Sequence, residues 1–309
     1  MTATDDLVWK KHPKLRRPIL IAAFEGWNDG GEAASIAIAH LAEIWEAESF
    51  AEIDAEEYFD FTSTRPEVEL VNGDTREIHW PTNEFLAAEI PEASNDVILL
   101  VGDEPQLRWK KFCAHIIEVA RSCDVSMVVT LGALLADVPH TRPTRISCTS
   151  FDAAVNERLS LRPSSYEGPT GIVGVLNDAL HREGIPTCAV WAGVPHYLPS
   201  TPSPKAALAL LEQASVVAGI SIPTLALEVA TVDYERQINE IIDADEDMVG
   251  FLGQLEANYD AGDFGLESED EDDILEPDAR TVFSDKQGKL FTGDALAAEL
   301  EKYLRDEGR

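Results

Sequence analysis

Short apolar runs alternate with helical patterns along the first three-quarters of the chain. Residues 19–24 are continuously apolar and only as long as a strand, which suits a strand buried on both faces of a sheet. A glycine-rich turn, Glu25-Gly26-Trp27-Asn28-Asp29-Gly30-Gly31, follows. From Glu32 the period changes, and Ala33, Ile36, Ala37, Leu41, Ile44 and Trp45 fall on one face of a helix. The same grammar recurs. Residues 97–102, 126–132 and 187–192 read as strands, and Phe112, Ile116, Ile117 and Ala120 mark a helix after the first of them. Gly168-Pro169-Thr170-Gly171 opens a helix through Leu176 and Leu180 that ends near Gly184, and a further helix runs from about Pro204 to Ala218. Strands alternating with helices predict an α/β fold with a mainly parallel sheet covered on both sides.

Other segments break the pattern. Residues 53–80 alternate in the manner of extended chain, and Asn72-Gly73-Asp74 separates two runs, 67–70 and 76–80, which is a hairpin signal. They predict an antiparallel extension at one edge of the sheet. Residues 231–261 read as one helix with Val232, Ile238, Ile241, Ile242, Val249, Leu252 and Leu255 as its stripe. Residues 294–305 form a last amphipathic pattern carrying Leu296, Leu300, Tyr303 and Leu304, with Thr292 or Asp294 as its cap. The expected organisation is a flexible arm over 1–15, an α/β domain over 16–230, and an acidic helical extension over 231–309. No internal repeat is visible.

Charge changes this picture at the C-terminus. Of 309 residues, 57 are acidic and 24 basic, a formal net charge of −33. Residues 231–309 hold 24 of the acidic and 7 of the basic groups, so half of the excess lies in the last quarter. Residues 263–278 contain nine acids and no base, too little apolar surface to fold alone, and are expected to be a mobile linker. The arm either steers basic partners or only aids solubility. Such acidity argues against nucleic acid and anionic membranes as partners. The longest apolar run, Met127–Ala136, is too short to span a bilayer, and no signal-peptide core follows Met1. Four well-separated cysteines (Cys113, Cys123, Cys148, Cys188) without a C-x-x-C pair fit a cytoplasmic protein with reduced thiols.

Catalytic signatures are missing: no phosphate loop, G-x-G-x-x-G, G-x-S-x-G elbow or H-E-x-x-H. Cys113 and His115 sit two apart on a predicted helix, pointing to different faces. No metal, cofactor or catalytic residue is expected. What remains is position, because ligands of a doubly wound sheet bind beyond the carboxyl ends of its strands. The segments placed there offer Gly26, Trp27, Asn28, Asp29, Gly30, Asp103, Glu104, Arg108, Gly168, Thr170, Gly171, His196 and Tyr197 as a pocket rim. Helix N-termini just after Gly30 and Gly171 favour an anion. Each element also has a structural reading. Gly26, Gly30 and Gly31 supply the positive φ of a tight turn. Asn28 or Asp29 serves equally as an N-cap. Arg108 pairs with Asp103 or Glu104, and His196 is a hydrogen-bonded loop residue.

Taken together these segments resemble a known family. Phe24-Glu25-Gly26-Trp27-Asn28-Asp29-Gly30-Gly31-Glu32-Ala33-Ala34 is similar to the N-terminal signature of the proteasome assembly chaperone 2 (PAC2) family. Gly102-Asp103-Glu104-Pro105, Tyr166-Glu167-Gly168-Pro169-Thr170-Gly171-Ile172 and Val194-Pro195-His196-Tyr197-Leu198, followed by Ser203-Pro204-Lys205-Ala206-Ala207, look like its later blocks. The likeness covers about residues 15–230 and is nearest to the actinobacterial branch, which carries a C-terminal helical extension. The resemblance implies a three-layer α/β/α sandwich related to nucleoside phosphorylases and hydrolases. It also implies a homo-oligomer, a trimer first of all, and proteasome-related or other protein partners. No phosphorylase residue can be carried over position by position. The chain ends Asp306-Glu307-Gly308-Arg309 rather than in a hydrophobic–tyrosine tail, so ring docking by such a tail is not expected. The reading is a non-enzymatic assembly factor. Its competitor is a nucleoside- or phosphate-compound binder or enzyme, with Asp29 and Glu104 as base or ribose ligands and Arg108 as anion contact.

Overall fold

The computed structural model describes residues 6–71, 75–161, 164 and 166–262, together with two short strands at 283–284 and 290–291. The linker 263–278, the helical pattern 294–305 and the turn 72–74 lie outside the described residues.

Eight strands make one sheet. In chain order they are β1 (Leu7–Trp9), β2 (Ile19–Glu25), β3 (Glu48–Ile53), β6 (Asn83–Ala88), β7 (Val97–Asp103), β8 (Met127–Ala136), β9 (Ile146–Thr149) and β10 (Thr187–Pro195). A separate hairpin is formed by β4 (Glu67–Val71) and β5 (Thr75–His79). The spatial order is β1-β3-β6-β7-β2-β8-β10-β9. The central strands β7, β2, β8 and β10 are mutually parallel, while β6, β3, β1 and β9 join by antiparallel pairing. Five of the eight strands therefore run one way.

The period of two along β2 divides the core. Ile19, Ile21 and Ala23 face one layer, and Leu20, Ala22 and Phe24 the other. Val97 and Leu99 of β7 join the first, Ile98 and Leu100 the second, as the register Ile19↔Val97 requires. The first layer is closed by α1 (Ala33–Ile44), α3 (Ala153–Leu159) and α5 (Pro204–Ala218). The second is closed by α2 (Trp109–Ser122) and α4 (Ile172–Arg182). This is the expected three-layer α/β/α architecture. Two further helices, α6 (Leu225–Ile242) and α7 (Glu246–Asp260), bury Tyr234, Ile238, Ile242, Met248 and Leu255 against Tyr197 and Leu198, which follow β10.

Five expectations need correction. Residues 6–15 are not a free arm from Asp6 onward: Leu7 is buried and β1 pairs with β3, because the Asp6 carboxylate has buried donors to meet. It accepts from the Tyr58 hydroxyl at 2.8 Å and from Lys111, and Tyr58 in turn lies 2.9 Å from His115 Nε2. The single helix over 231–261 is two, because the Asp245 side chain accepts from the backbone N–H groups of Asp247 and Met248 and starts α7 afresh. A boundary at 230 falls inside α6. Residues 54–63 are turns rather than strand: Asp54 caps a short 3-10 turn and Asp60 folds back on Thr62. The hairpin that follows forms its own ribbon and does not extend the edge. Among the described residues no helix is long and apolar enough to cross a membrane.

Two buried carboxylates pin the amino-terminal side of the fold. Asp96, 1% exposed, receives Arg16 through Nε and Nη2 and also the backbone N–H groups of Arg16 and Ile90. Burial pushes both Asp6 and Asp96 up. The hydrogen bonds from Lys111 and Tyr58 in one case, and from Arg16 in the other, outweigh it and hold each carboxyl below its ordinary value. The unfolded chain therefore binds more protons. The stabilisation they give is complete above about pH 4, the unfolded carboxyl range, and is lost as pH falls through their lower folded values. Asp6→Ala takes the acceptor from the buried Tyr58 hydroxyl and the ion-pair partner from the half-exposed Lys111, and is expected to cost about 1–3 kcal/mol in urea unfolding at pH 7. Asp6→Asn is expected to flatten the loss of stability below pH 4 relative to the unaltered chain.

Candidate functional site

The loop after β2 is the centre of the strand-end site. β2 stops when the chain turns at Gly26, φ 117°, and it turns again at Gly31, φ 58°. Gly30 does not share the positive φ expected of all three glycines. It is held close to the Ala133 carbonyl instead, 3.3 Å from where its Cβ would stand. The loop adds a strand-like bond to β8, Ala133 N donating to the Asn28 carbonyl at 2.8 Å.

Asn28 and Asp29 are both buried. Asp29 is committed through both oxygens and Asn28 through its amide nitrogen, while Asn28 Oδ1 is buried without a hydrogen-bond partner among the described residues. The Asn28 amide donates to Glu104 Oε1 at 2.8 Å. The same Glu104 oxygen accepts from Ile172 N at 2.9 Å, a free N–H in the first turn of α4. Asp29 Oδ1 accepts from Ala34 N at 2.6 Å, and its other oxygen takes the Ser35 hydroxyl, so the carboxylate closes the N-terminus of α1. Gly171 is the third partner: a Cβ there would stand 2.4 Å from Asn28 Oδ1. The two helix N-termini, which an anionic ligand would otherwise occupy, are thus served by the protein's own carboxylates.

Of the remaining rim residues, Asp103 lies beside Glu25 in the β2–β7 register. Burial raises the carboxyls of Glu25, Asp29 and Asp103, and Asp103 and Asp29 push Glu25 further up. Trp27 is half exposed. Gly168 and Thr170 are exposed on the approach to α4, where the Tyr166 hydroxyl donates to the Pro169 carbonyl at 2.8 Å. Arg108 does not join Asp103 or Glu104. It starts α2 in a left-handed conformation and pairs with Glu57.

His196 and Tyr197 belong to a second cluster. Tyr197 is 1% exposed; its hydroxyl accepts from His140 N at 2.9 Å and lies 2.7 Å from His140 Nδ1. His140 Nε2 reaches Asn239 of α6 at 3.0 Å. His196 Nδ1 lies 2.9 Å from Asp137 Oδ1, and its ring meets Tyr197 and Phe251 edge-on. Burial lowers the His140 imidazole and raises the Tyr197 phenol, so both stay neutral near pH 7. A cavity of about 10 Å³ beside them, lined by His140, Ser203, Lys205 and Tyr234 among others, has room for a single water. Ser35, His140, Lys205 and Glu235 were not among the candidates. Ser35 carries the weak signal of a hydroxyl in the first turn of α1, and Lys205 lies in a block that resembles the family; His140 and Glu235 carry none, because their partners are distant in sequence. Among the described residues no three His, Cys, Asp or Glu side chains group to hold a metal.

These features define a class: a three-layer α/β protein whose strand-end loops bond to one another and to the helix starts. The model of the PAC2 family matches residues 23–242, and the chain belongs to that family. A PAC2 family protein from Streptomyces avermitilis is 40% identical, over 76% of this chain and 99% of its own, with a TM-score of 0.71. A proteasome-assembly chaperone homologue from Mycobacterium tuberculosis is 42% identical over 76% and 99%, with a TM-score of 0.70. A protein of unknown function from the same organism is 27% identical over 84% and 90%, with a TM-score of 0.76. No curated protein sequence matches the chain.

Glu104→Ala leaves the Asn28 amide and Ile172 N–H without an acceptor and is expected to destabilise by about 1–3 kcal/mol in urea unfolding. Glu104→Gln keeps an acceptor there and is expected to lose less than half of that. Asp103 carries the opposite pH sign to Asp6. Its folded carboxyl holds its proton more tightly than the unfolded one, so its charge costs stability above the folded value and nothing below about pH 4. Asp103→Asn is expected to raise Tm by about 1–2 °C at pH 7 and to leave it unchanged at pH 4, by calorimetry.

Proposed function

We propose that this protein is a non-enzymatic assembly factor that acts as a homo-oligomer, a trimer first of all, holding protein subunits of the proteasome type before they enter their final particle. The observation that carries the reading is the state of the strand-end site. Asn28, Asp29 and Glu104, the groups best placed to act on a small molecule, already serve each other and the first turns of α1 and α4. Such a site gives a rigid scaffold whose best-placed groups are occupied, leaving Asn28 Oδ1 and the adjacent Glu25 and Asp103 carboxyls, and the function then falls to the outer surface. The chaperone homologue at 42% identity supports the kind of partner.

The competing reading, a nucleoside or phosphate-compound binder, would need Asp29 or Glu104 to release a helix N-terminus in favour of the ligand. That exchange replaces one anion by another at no evident gain.

The test is direct. The full chain is mixed with separately purified proteasome α-type and β-type subunits, and the species are followed by native mass spectrometry. A complex with free α-type subunits that is absent from the mature particle is expected. No complex at tens of micromolar, together with a thermal shift of several degrees from a nucleoside or phosphate, would reverse the order of the two readings.

A further inference from the structure

The hairpin of β4 and β5 stands apart from both cores. Every residue of β5, and every residue of β4 except Val71, is exposed. Yet its two faces differ. Val68 pairs across with Ile78, so alternation puts Val68, Leu70 and Ile78 on one face. Trp80 continues the line one residue past β5, where its ring meets Phe61 edge-on and is partly covered. Glu67, Glu69, Glu77 and His79 take the other face, with His79 3.1 Å from Glu69. A two-stranded ribbon is marginal in water unless its apolar face is covered. A second bare stripe lies on α6. Leu227, Tyr234, Ile238 and Ile242 turn inward, whereas Leu225, Val229 and Val232 follow one another at helical spacing on the solvent side. The exposure of these seven side chains runs from 48% (Trp80) to 72% (Leu225).

We propose that the apolar face of the ribbon in one copy packs on the α6 stripe of a second copy, head to tail. This rests on the homo-oligomer reading above and deepens it. Three features favour a second copy as the occupant. A ribbon that needs a cover in every folded molecule is best served by a surface present at the same concentration. The lengths agree: Leu225 to Val232 spans about 10 Å of helix, and the ribbon from the Leu70 level to Trp80 about 13 Å. The charges agree at one end. Arg76, opposite Leu70 on the ribbon's apolar face, meets the end of the stripe flanked by exposed Glu228, whereas Asp233 at the other end is held by Arg236. The Arg76–Glu228 match is a local one between chains that each carry −33 overall. Because the two surfaces differ, the contact is heterologous, and repeated contacts of that kind close into a ring when the rotation allows.

The test uses the full chain and two variants, Ile78→Lys on the ribbon and Val229→Lys on α6. Lysine is chosen because a carboxylate would add to the general repulsion. Circular dichroism confirms that each is folded, and light scattering after gel filtration gives the mass. The unaltered chain is expected to be oligomeric and each variant monomeric. An equimolar mixture of the two is expected to recover one intact junction and run as a dimer. An oligomer unaffected by either substitution overturns the ribbon–α6 contact while leaving the homo-oligomer reading standing. Dissociation by Ile78→Lys alone assigns a ribbon-to-ribbon contact and also overturns it. An unaltered chain that is monomeric at tens of micromolar overturns both.

Discussion

A buried polar loop end must find partners, and here one loop satisfies three elements at once. Residues 26–31 leave β2, bond to β8 through the Asn28 carbonyl, close α1 through the Asp29 carboxylate, and reach α4 through Asn28 and Glu104. The layers of the sandwich are held in place by apolar packing, which is non-directional. Their relative positions at the carboxyl end are fixed by these few directional bonds. Two requirements follow at once. Gly171 has to be glycine because Asn28 lies against it, and Gly31 has to accept a positive φ while Ser203 N donates to its carbonyl at 2.8 Å. The loop after β10 is thereby drawn onto the loop after β2, and α5 begins where Ser203 caps it.

The same economy explains why the strand-end position, which in many doubly wound sheets is a ligand crevice, is filled here. Carboxylates at helix N-termini take the place an anion would take. The second cluster is filled in another way: His140, Tyr197 and Asn239 form a chain of hydrogen bonds beneath α6 and α7, and Lys205 ties the His140 carbonyl to Glu235. These bonds fasten the two C-terminal helices to the sheet. Exposed apolar surface, by contrast, lies on the ribbon and on the solvent side of α6.

The sandwich was legible because its strands are buried on both faces and therefore read as unbroken apolar runs. β2, β7, β8 and β10 stand out in this way, as does the switch to a period of 3.6 in α1, α4 and α5. The edges were not. Glu48-Ser49-Phe50-Ala51-Glu52-Ile53 of β3 and Ile146-Ser147-Cys148-Thr149 of β9 mix polar and apolar positions, as strands with a wet side do. The break between α6 and α7 was hidden because the apolar stripe continues across it, and only the capping role of Asp245 marks it.

Sequence alone determined the class of fold, the position of the glycine-rich loop at a strand end, and the family, because each is written in local pattern. Which side chains converge was decided only by the tertiary structure. Asn28, Glu104 and Gly171 come from three distant segments, and their bonds exist only once β2, β7 and α4 lie side by side. Arg108, His196 and Tyr197 matched the same positional rule, yet the turn into α2 sends Arg108 to Glu57 and the packing of α6 and α7 draws His196 and Tyr197 into a separate cluster. Position along a strand is local information, whereas the direction of a side chain depends on what packs against it.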